Sequence, residues 1–252
     1  MLKYLCRLRN LINLNSGFYK DLDTNFEQAC EMSEKEFSHK ELVGMLESGN
    51  IPQKQIAALR LDYIENQQEA NLLLNNLIGC DGKIREAVAL RINRFLFEKP
   101  SSANYFATES AAQIFANATI DINANICRLV VESVSVLTQN VVFANVYLDK
   151  ILKFINETFS ELDKFIFRDK KYVINKQLFK LYWCLEALKL FVNEVDKGTL
   201  TKILTRTADE REYTIREKAA QIISVMGDDE FAPLRDKLKN DENYYVRNVF
   251  KS

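Results

Sequence analysis

The sequence is poor in the residues that build tight turns. Only 7 glycines and 3 prolines occur among its 252 residues. Proteins made of β-strands and hairpins use both residues freely at their turns, so this scarcity argues against a β-rich fold. No stretch rich in Gly, Pro or Ser interrupts the sequence as a flexible linker would. We therefore expect helices joined by short loops in one continuous domain, residues 1–252.

The sequence also lacks an excess of either positive or negative charge. The chain carries 34 Lys and Arg against 35 Asp and Glu, which leaves a formal net charge of -1. A protein that is drawn to nucleic acid by its overall charge needs a basic excess. The balance therefore argues against a nucleic-acid partner.

Long apolar runs are absent. The uncharged segment 133–148 contains Thr138, Gln139 and Asn140, which makes it too polar and too short to span a bilayer, so we expect no transmembrane segment. At the N-terminus, one helical face carries Leu2, Leu5, Leu8, Leu11 and Ile12 among basic residues. Such a face is typical of a helix that lies on the core, and contact with a membrane surface is the alternative.

The cysteines are few and irregularly spaced. They are Cys6, Cys30, Cys80, Cys127 and Cys184. An odd number with wide gaps is typical of small buried hydrophobic residues in a reducing compartment, so we expect no disulfide framework and a cytoplasmic location.

Residues with obvious chemistry are also rare. His39 is the single histidine, and neither C-x-x-C nor H-E-x-x-H occurs. We expect His39 to be a solvated residue in the first turn of a helix. The sequence predicts no metal site, no cofactor, no catalytic residue and therefore no enzyme.

What the sequence does contain is a repeated pattern. An acidic loop is followed by a branched apolar residue and then by arginine. The copies are Asp81 with Ile84 and Arg85, Glu210 with Ile215 and Arg216, Asp241 with Val246 and Arg247, and, with Cys127 in place of arginine, Asp121 with Ile126. The separations between copies are those of helix-pair repeats.

This pattern resembles the HEAT repeat, and in particular the HEAT-like repeats first associated with phycobilisome lyases. The resemblance is good over residues 50–97 and 205–252 and weak over 130–200. It implies an all-α, right-handed α-solenoid of stacked antiparallel helix pairs. In that arrangement residues 1–48 form divergent N-terminal helices and residues 49–252 form about five repeats. It also implies a structural ladder of charges between repeats, made by Asp81, Arg85, Arg216, Asp241 and Arg247.

Local signals predict where the helices lie. Ser33 with Glu36, or Ser38 with Glu41, has the spacing of a capping box and would start a helix that runs to about Ser48. Further helices are expected near 21–32, 51–65, 67–78, 82–97, 103–117, 122–138, 141–158, 172–195, 198–208, 213–226, 230–239 and 243–251.

One helix carries a candidate binding surface. Tyr172, Lys176, Lys180 and Trp183 share one face of the helix near 172–190. A basic and aromatic stripe of this kind suits an acidic peptide, a phosphate backbone or a flat ring. The alternative is burial between neighbouring helices, because the other faces of this helix are also largely apolar.

Three functions are consistent with these observations. We expect a non-catalytic scaffold or adaptor that binds a protein or peptide along a curved surface. The alternatives, which rest on the resemblance, are a subunit associated with a lyase or with maturation, and a DNA-binding glycosylase of the alkylation-repeat family. A single tryptophan and the net charge of -1 count against the glycosylase. The short final helix carries Tyr245, Val246, Val249 and Phe250, and it also predicts that this end docks on something. The occupant would be another copy, by end-to-end self-association through the C-terminal helix, the basic N-terminal helix of a neighbour, or a partner protein.

Overall fold

In the computed structural model, residues 24–164, 171–226 and 231–251 are described, and within these ranges the chain is helical with no β-strand. The predicted N-terminal helix around Leu2 to Ile12 and its Cys6 lie outside the described residues. The α-helices in these ranges are α1 Thr24–Ser33, α2 His39–Ser48, α3 Ile51–Arg60, α4 Gln67–Leu77, α5 Gly82–Glu98, α6 Ala103–Phe106, α7 Glu109–Thr119, α8 Ala124–Leu137, α9 Val141–Lys164, α10 Lys171–Leu188, α11 Lys197–Ala208, α12 Tyr213–Val225, α13 Ala232–Lys239 and α14 Tyr244–Asn248. The prediction of an all-α fold is confirmed. None of these helices is long and apolar enough to cross a membrane.

Capping boxes start two neighbouring helices. At α2, the Ser38 hydroxyl accepts a hydrogen bond from the backbone N–H of Glu41, whose carboxylate accepts one from the backbone N–H of Ser38. Asn50 and Gln53 make the same reciprocal pair at α3. These bonds satisfy N–H groups that have no partner inside the helix. The start at Ser38 was predicted, whereas the second box was not.

Some predicted helix boundaries differ from those observed. The helix expected over 103–117 is divided at Ala107, whose φ of -90° and ψ of 47° leave the helical region. The Thr108 hydroxyl then accepts from the backbone N–H of Ala111 as the chain resumes α7. Helix α9 extends to Lys164 because its 24 residues contain no glycine or proline to end it.

Packing divides the chain into two compact units. Unit 1 comprises Met1–Ile114 and Asn123–Val136, and unit 2 comprises Phe115–Ile122 and Leu137–Ser252. The expectation that residues 1–252 form one domain stays a prediction.

Within unit 1, helices pack against both their first and their second neighbours in sequence. Helix α2 contacts α3 and α4 contacts α5, while α2 also contacts α4 and α3 contacts α5. The core is mainly aliphatic. Its fully buried members include Leu46, Leu61, Leu73, Leu74, Leu77, Ile92 and one aromatic residue, Phe106. Burying each such side chain stabilises the fold by about 1.5–3 kcal/mol.

Unit 2 repeats this scheme near its C-terminal end. Helix α11 contacts α12 and α13 contacts α14, while α11 also contacts α13 and α12 contacts α14. Helix α10 packs on both α9 and α12, and the Lys218 ammonium of α12 donates to the Glu186 carboxylate of α10 at 2.5 Å. The core of unit 2 contains four aromatic rings in successive contact. They are Phe115, Phe143, Tyr147 and Phe191, and their successive centroids are 5.7, 5.9 and 5.6 Å apart.

The described cysteines do not all share one environment. Cys30, Cys127 and Cys184 are buried, as expected for small hydrophobic residues, but Cys80 is exposed in the loop between α4 and α5. The expectation of burial is therefore wrong for Cys80.

Candidate functional site

The predicted basic and aromatic stripe lies on α10, but its members differ in exposure. Trp183 is 9% exposed, with its ring edge-on to the rings of Phe179 and Tyr182 at 6.3 and 5.2 Å. The Lys180 ammonium lies 5.4 Å from the centroid of the Phe154 ring on α9, and Lys176 is exposed. The side chain of Tyr172 falls outside the described residues. The structure thus leaves Lys176 open to solvent and places Trp183 in the interior, and a binding role for the stripe stays a prediction.

The Trp183 indole has an unusual polar environment. Its Nε1–H is buried and has no acceptor among the described residues. A buried donor without a partner costs about 1–3 kcal/mol. The indole therefore contributes to the fold through its apolar area and its ring contacts rather than through hydrogen bonding.

The three predicted ladder arginines share one local geometry. Each guanidinium turns back and donates to the carbonyl oxygens of the residues six and five positions before it. The acceptors are Gly79 and Cys80 for Arg85, Glu210 and Arg211 for Arg216, and Asp241 and Glu242 for Arg247. These carbonyls belong to the turn before the helix, where no backbone N–H of a regular helix can reach them. The recurring arginine therefore holds the turn against the helix that follows it.

Asp81 caps a helix, and its place in a charge ladder between repeats stays a prediction. Its carboxylate Oδ1 accepts from the backbone N–H groups of Lys83 and Ile84 at 2.8 and 3.1 Å, which makes it the N-cap of α5. Asn243 occupies the equivalent place before Val246 and accepts from the backbone N–H of Tyr245. Asp81 is thus a helix cap, as Asn243 is, whereas Glu212, which stands three positions before Ile215, makes no side-chain cap bond at the start of α12.

Arg216 and Asp241 do join two consecutive helix pairs. The Arg216 Nε lies 2.7 Å from Asp241 Oδ2 and its Nη2 lies 2.9 Å from Oδ1, a bidentate pair with both side chains nearly buried. The hydrogen bonds from Arg216 hold the pKa of Asp241 below its ordinary value, and the bonds to Asp241 raise the pKa of Arg216. Bidentate pairing fixes orientation as well as distance. This contact fixes the turn before α14 relative to α12.

A row of tyrosines lies at the starts of the same two helices. The Tyr213 ring of α12 stacks on Tyr245 of α14 with centroids 6.0 Å apart and planes inclined by 25°, and Tyr244 meets Tyr245 edge-on at 5.7 Å. Tyr244 and Tyr245 are 56% and 60% exposed. Large aromatic side chains held rigidly at a surface are typical of protein interfaces. We call Tyr213, Tyr244 and Tyr245 the tyrosine row.

An open groove lies between the two turns that precede these helices. It has a volume of about 560 Å³, and its lining includes Glu210 and Arg211 from one turn and Asp241 and Glu242 from the other. Segments 209–217 and 241–247 together contain six acidic and three basic residues. A fourth basic residue, Lys237, also lines the groove and pairs with Asp209. The surroundings of the tyrosine row therefore carry a small excess of acidic residues.

A second cluster lies in unit 1 around the single histidine. His39 is half-buried, its ring stacks on Tyr63 with centroids 4.1 Å apart, and its Nε2 lies 3.1 Å from Glu69 Oε1. With Glu65 these residues place three metal-ligating atoms within 4.8 Å of one another. The expectation of a solvated His39 without such neighbours is wrong, because α4 and the loop before it pack over the start of α2.

Sequence reasoning found the arginines but missed the tyrosine row and the histidine cluster. A signal for the row was present, since Tyr213 and Tyr244 both stand two positions before the branched residue of the repeated pattern. For the cluster there was none, because His39 and Glu69 are 30 residues apart and in no recognisable motif.

The comparisons with known proteins assign no family. No protein-family model matches the chain, and no curated protein matches it. Among solved structures, the crystal structure of an engineered protein matches with a TM-score of 0.46 and 12% sequence identity. That match covers 86% of this chain and 94% of the engineered one.

Proposed function

We propose that the chain is a helical-repeat binding protein that holds a protein or peptide partner and has no catalytic role. The observation that carries the proposal is the tyrosine row, with Tyr244 and Tyr245 56% and 60% exposed. Exposed aromatic rings cost solubility, and residues of this kind dominate the binding energy of many interfaces.

The repeat interpretation supports this function. We propose that the recurring arginine turns are those of HEAT-like repeats and that the helix pairs form an α-solenoid. The packing of α11, α12, α13 and α14 on first and second sequence neighbours supports that arrangement. In stacked helix pairs the starts of successive helices lie side by side, and the contact of Tyr213 with Tyr245 supports such an arrangement.

The partner that best fits the tyrosine row is a basic peptide segment. Tyrosine faces attract arginine and lysine side chains through cation–π contacts. Nearby acids, among them Glu242 with a side chain 90% exposed, add electrostatic attraction. A nucleic-acid partner would be repelled by the same acids, so this site favours a protein over DNA.

Peptide selection tests the proposal. The full chain is presented with a library of short random peptides, and the affinity of the enriched sequences is measured by fluorescence anisotropy. We expect sequences rich in Arg and Lys, bound at least about tenfold more weakly by Tyr245→Ala, which is the usual scale of an interface hot spot.

A matched control is Phe97→Ala, which removes another exposed ring, 55% exposed on α5. It should leave the affinity unchanged, and circular dichroism should show that both variants remain helical. Enrichment of acidic peptides, or equal binding by the Tyr245→Ala variant, would contradict the proposal.

A further inference from the structure

His39, Glu65 and Glu69 come from three different parts of unit 1 and converge on one point. His39 begins α2, Glu65 lies in the loop before α4, and Glu69 lies in the first turn of α4. One ligand atom from each lies within 4.8 Å of the other two. This cluster is separate from the tyrosine row and does not depend on the proposed function.

Two of the three ligands are held in fixed orientations. The His39 imidazole stacks on the Tyr63 ring with their planes inclined by 9°. Glu69 Oε2 accepts from the backbone N–H of Glu65 at 2.8 Å, which leaves Oε1 toward His39 Nε2. Ligands that are oriented before binding lose little entropy when a metal arrives.

The charges in the cluster favour a cation. The Glu69 side chain is only 9% exposed, and its one ionic partner among the described residues is His39, which is charged only when protonated. A carboxylate removed from water needs compensation by a positive charge or by hydrogen bonds. Its backbone bond and a contact at 3.4 Å from the Asn66 amide supply part of this. A dication would compensate both Glu69 and Glu65.

The ligand set indicates which ion fits. One imidazole nitrogen with two carboxylate oxygens is a borderline set that suits Zn²⁺, whereas Mg²⁺ and Ca²⁺ prefer oxygen alone. Bond lengths of about 2.1 Å in a tetrahedral site place neighbouring ligand atoms about 3.4 Å apart. The observed His39 to Glu69 distance of 3.1 Å is close to that value.

Solvent can reach the cluster through an adjacent pocket. It has a volume of about 310 Å³, and His39, Tyr63 and Arg60 are in its lining. The Arg60 guanidinium does not take the place of a cation at the cluster, because it donates to the carbonyl oxygens of Met32 and Lys35.

We propose that His39 Nε2 and carboxylate oxygens of Glu65 and Glu69 bind a zinc ion, with water completing its coordination. The ion would join the start of α2 to the start of α4. Its role is at least structural, because metal that binds only the folded chain stabilises it.

Metal titration of the full chain tests this site. Reactive thiols are first alkylated with iodoacetamide, so that cysteines do not compete. Zn²⁺ binding is measured by isothermal titration calorimetry, and Co²⁺ is used as a visible probe of coordination. We expect one ion per chain and a higher melting temperature. His39→Gln and Glu65→Gln should each weaken binding by at least about tenfold.

Glu36→Gln is the matched control, because Glu36 lines the same pocket but is not one of the three ligands. It should keep wild-type affinity. Glu65 is exposed, so the Glu65→Gln variant tests the site without disturbing a buried residue. Absence of saturable binding, unchanged affinity in Glu65→Gln, or an equal loss in Glu36→Gln would show that His39 and Glu69 form an ordinary ion pair.

Discussion

At the scale of single residues, Arg216 bonds to two acids in very different surroundings. The Asp241 side chain is 9% exposed and meets the guanidinium at 2.7 Å, whereas the Glu242 side chain is 90% exposed and meets it at 3.5 Å. Buried charge pairs are expensive to break because the remaining charge is left without a partner, but exposed pairs contribute little. The two acids therefore form a natural comparison.

Asp241→Asn should lower the free energy of unfolding by about 1.5–3 kcal/mol at neutral pH, because Arg216 loses its buried charged partner and keeps only the exposed Glu242. The effect should depend on pH. Hydrogen bonding from Arg216 places the pKa of folded Asp241 below its ordinary value of 3.8. The stability that the carboxylate adds is thus present above pH 3.8 and is lost as the pH falls through the lower folded value.

Urea unfolding at several pH values measures both effects. The difference between wild type and Asp241→Asn should be constant near neutrality and shrink below about pH 4. Glu242→Gln, which changes an acid on the same arginine, should cost less than about 0.5 kcal/mol. Equal losses of unfolding free energy in the two variants would mean that the buried bidentate pair contributes no more to stability than the exposed contact.

At the scale of elements, the turns before α5, α12 and α14 share the same arginine bonds to backbone carbonyls, but the acidic residues Asp81 and Asp241 have different structural roles. Asp81 caps α5, whereas Asp241 pairs with Arg216 of the preceding helix pair. A cap needs an acceptor oxygen, which asparagine also offers, while an ion pair between helix pairs needs a negative charge. Substitution with asparagine can therefore distinguish the two roles.

Asp81→Ala should lower stability by about 1 kcal/mol, because the backbone N–H groups of Lys83 and Ile84 lose their acceptor. Asp81→Asn should remain within about 0.5 kcal/mol of wild type, since it keeps that acceptor. Thermal or urea denaturation of the two variants and the wild type measures these differences in stability. A loss in Asp81→Asn as large as in Asp81→Ala would show that the negative charge of Asp81 matters, as the predicted ladder requires.

At the scale of the whole molecule, the chain passes between its two units more than once. Segment 115–122 belongs to unit 2 although the residues on either side of it belong to unit 1. Helix α7, Glu109–Thr119, has residues assigned to both units, so a unit that unfolded alone would break this helix in its middle. We therefore expect the two units to unfold together.

Two probes on one urea titration test this expectation. Trp183 is the single tryptophan and lies in unit 2, so its fluorescence reports on that unit, whereas far-ultraviolet circular dichroism reports on the helices of both. The two midpoints should coincide, as in a two-state transition. Two separate midpoints would contradict the expectation of a single domain over residues 1–252.

Features that depend on neighbours in sequence were determined by the sequence itself. The helical spacing of apolar residues, together with caps such as Ser38 with Glu41, was enough to place most of the helices. The arginine turns also belong here, because Arg85, Arg216 and Arg247 reach carbonyls only five and six residues away. Such contacts are present in any chain that forms the local helix, so a pattern in the sequence reveals them.

Features that depend on which helices pack together were decided only by the tertiary structure. The sequence leaves both a surface and a core open for Trp183, and the packing of α10 against α9 and α12 leaves it 9% exposed. His39 meets Glu69 across 30 residues, and Tyr213 stacks on Tyr245 only because their helices are packed together. The physical reason is that helical periodicity gives a side chain its face, but only burial against a particular neighbour decides whether that face meets water, a carboxylate or another ring.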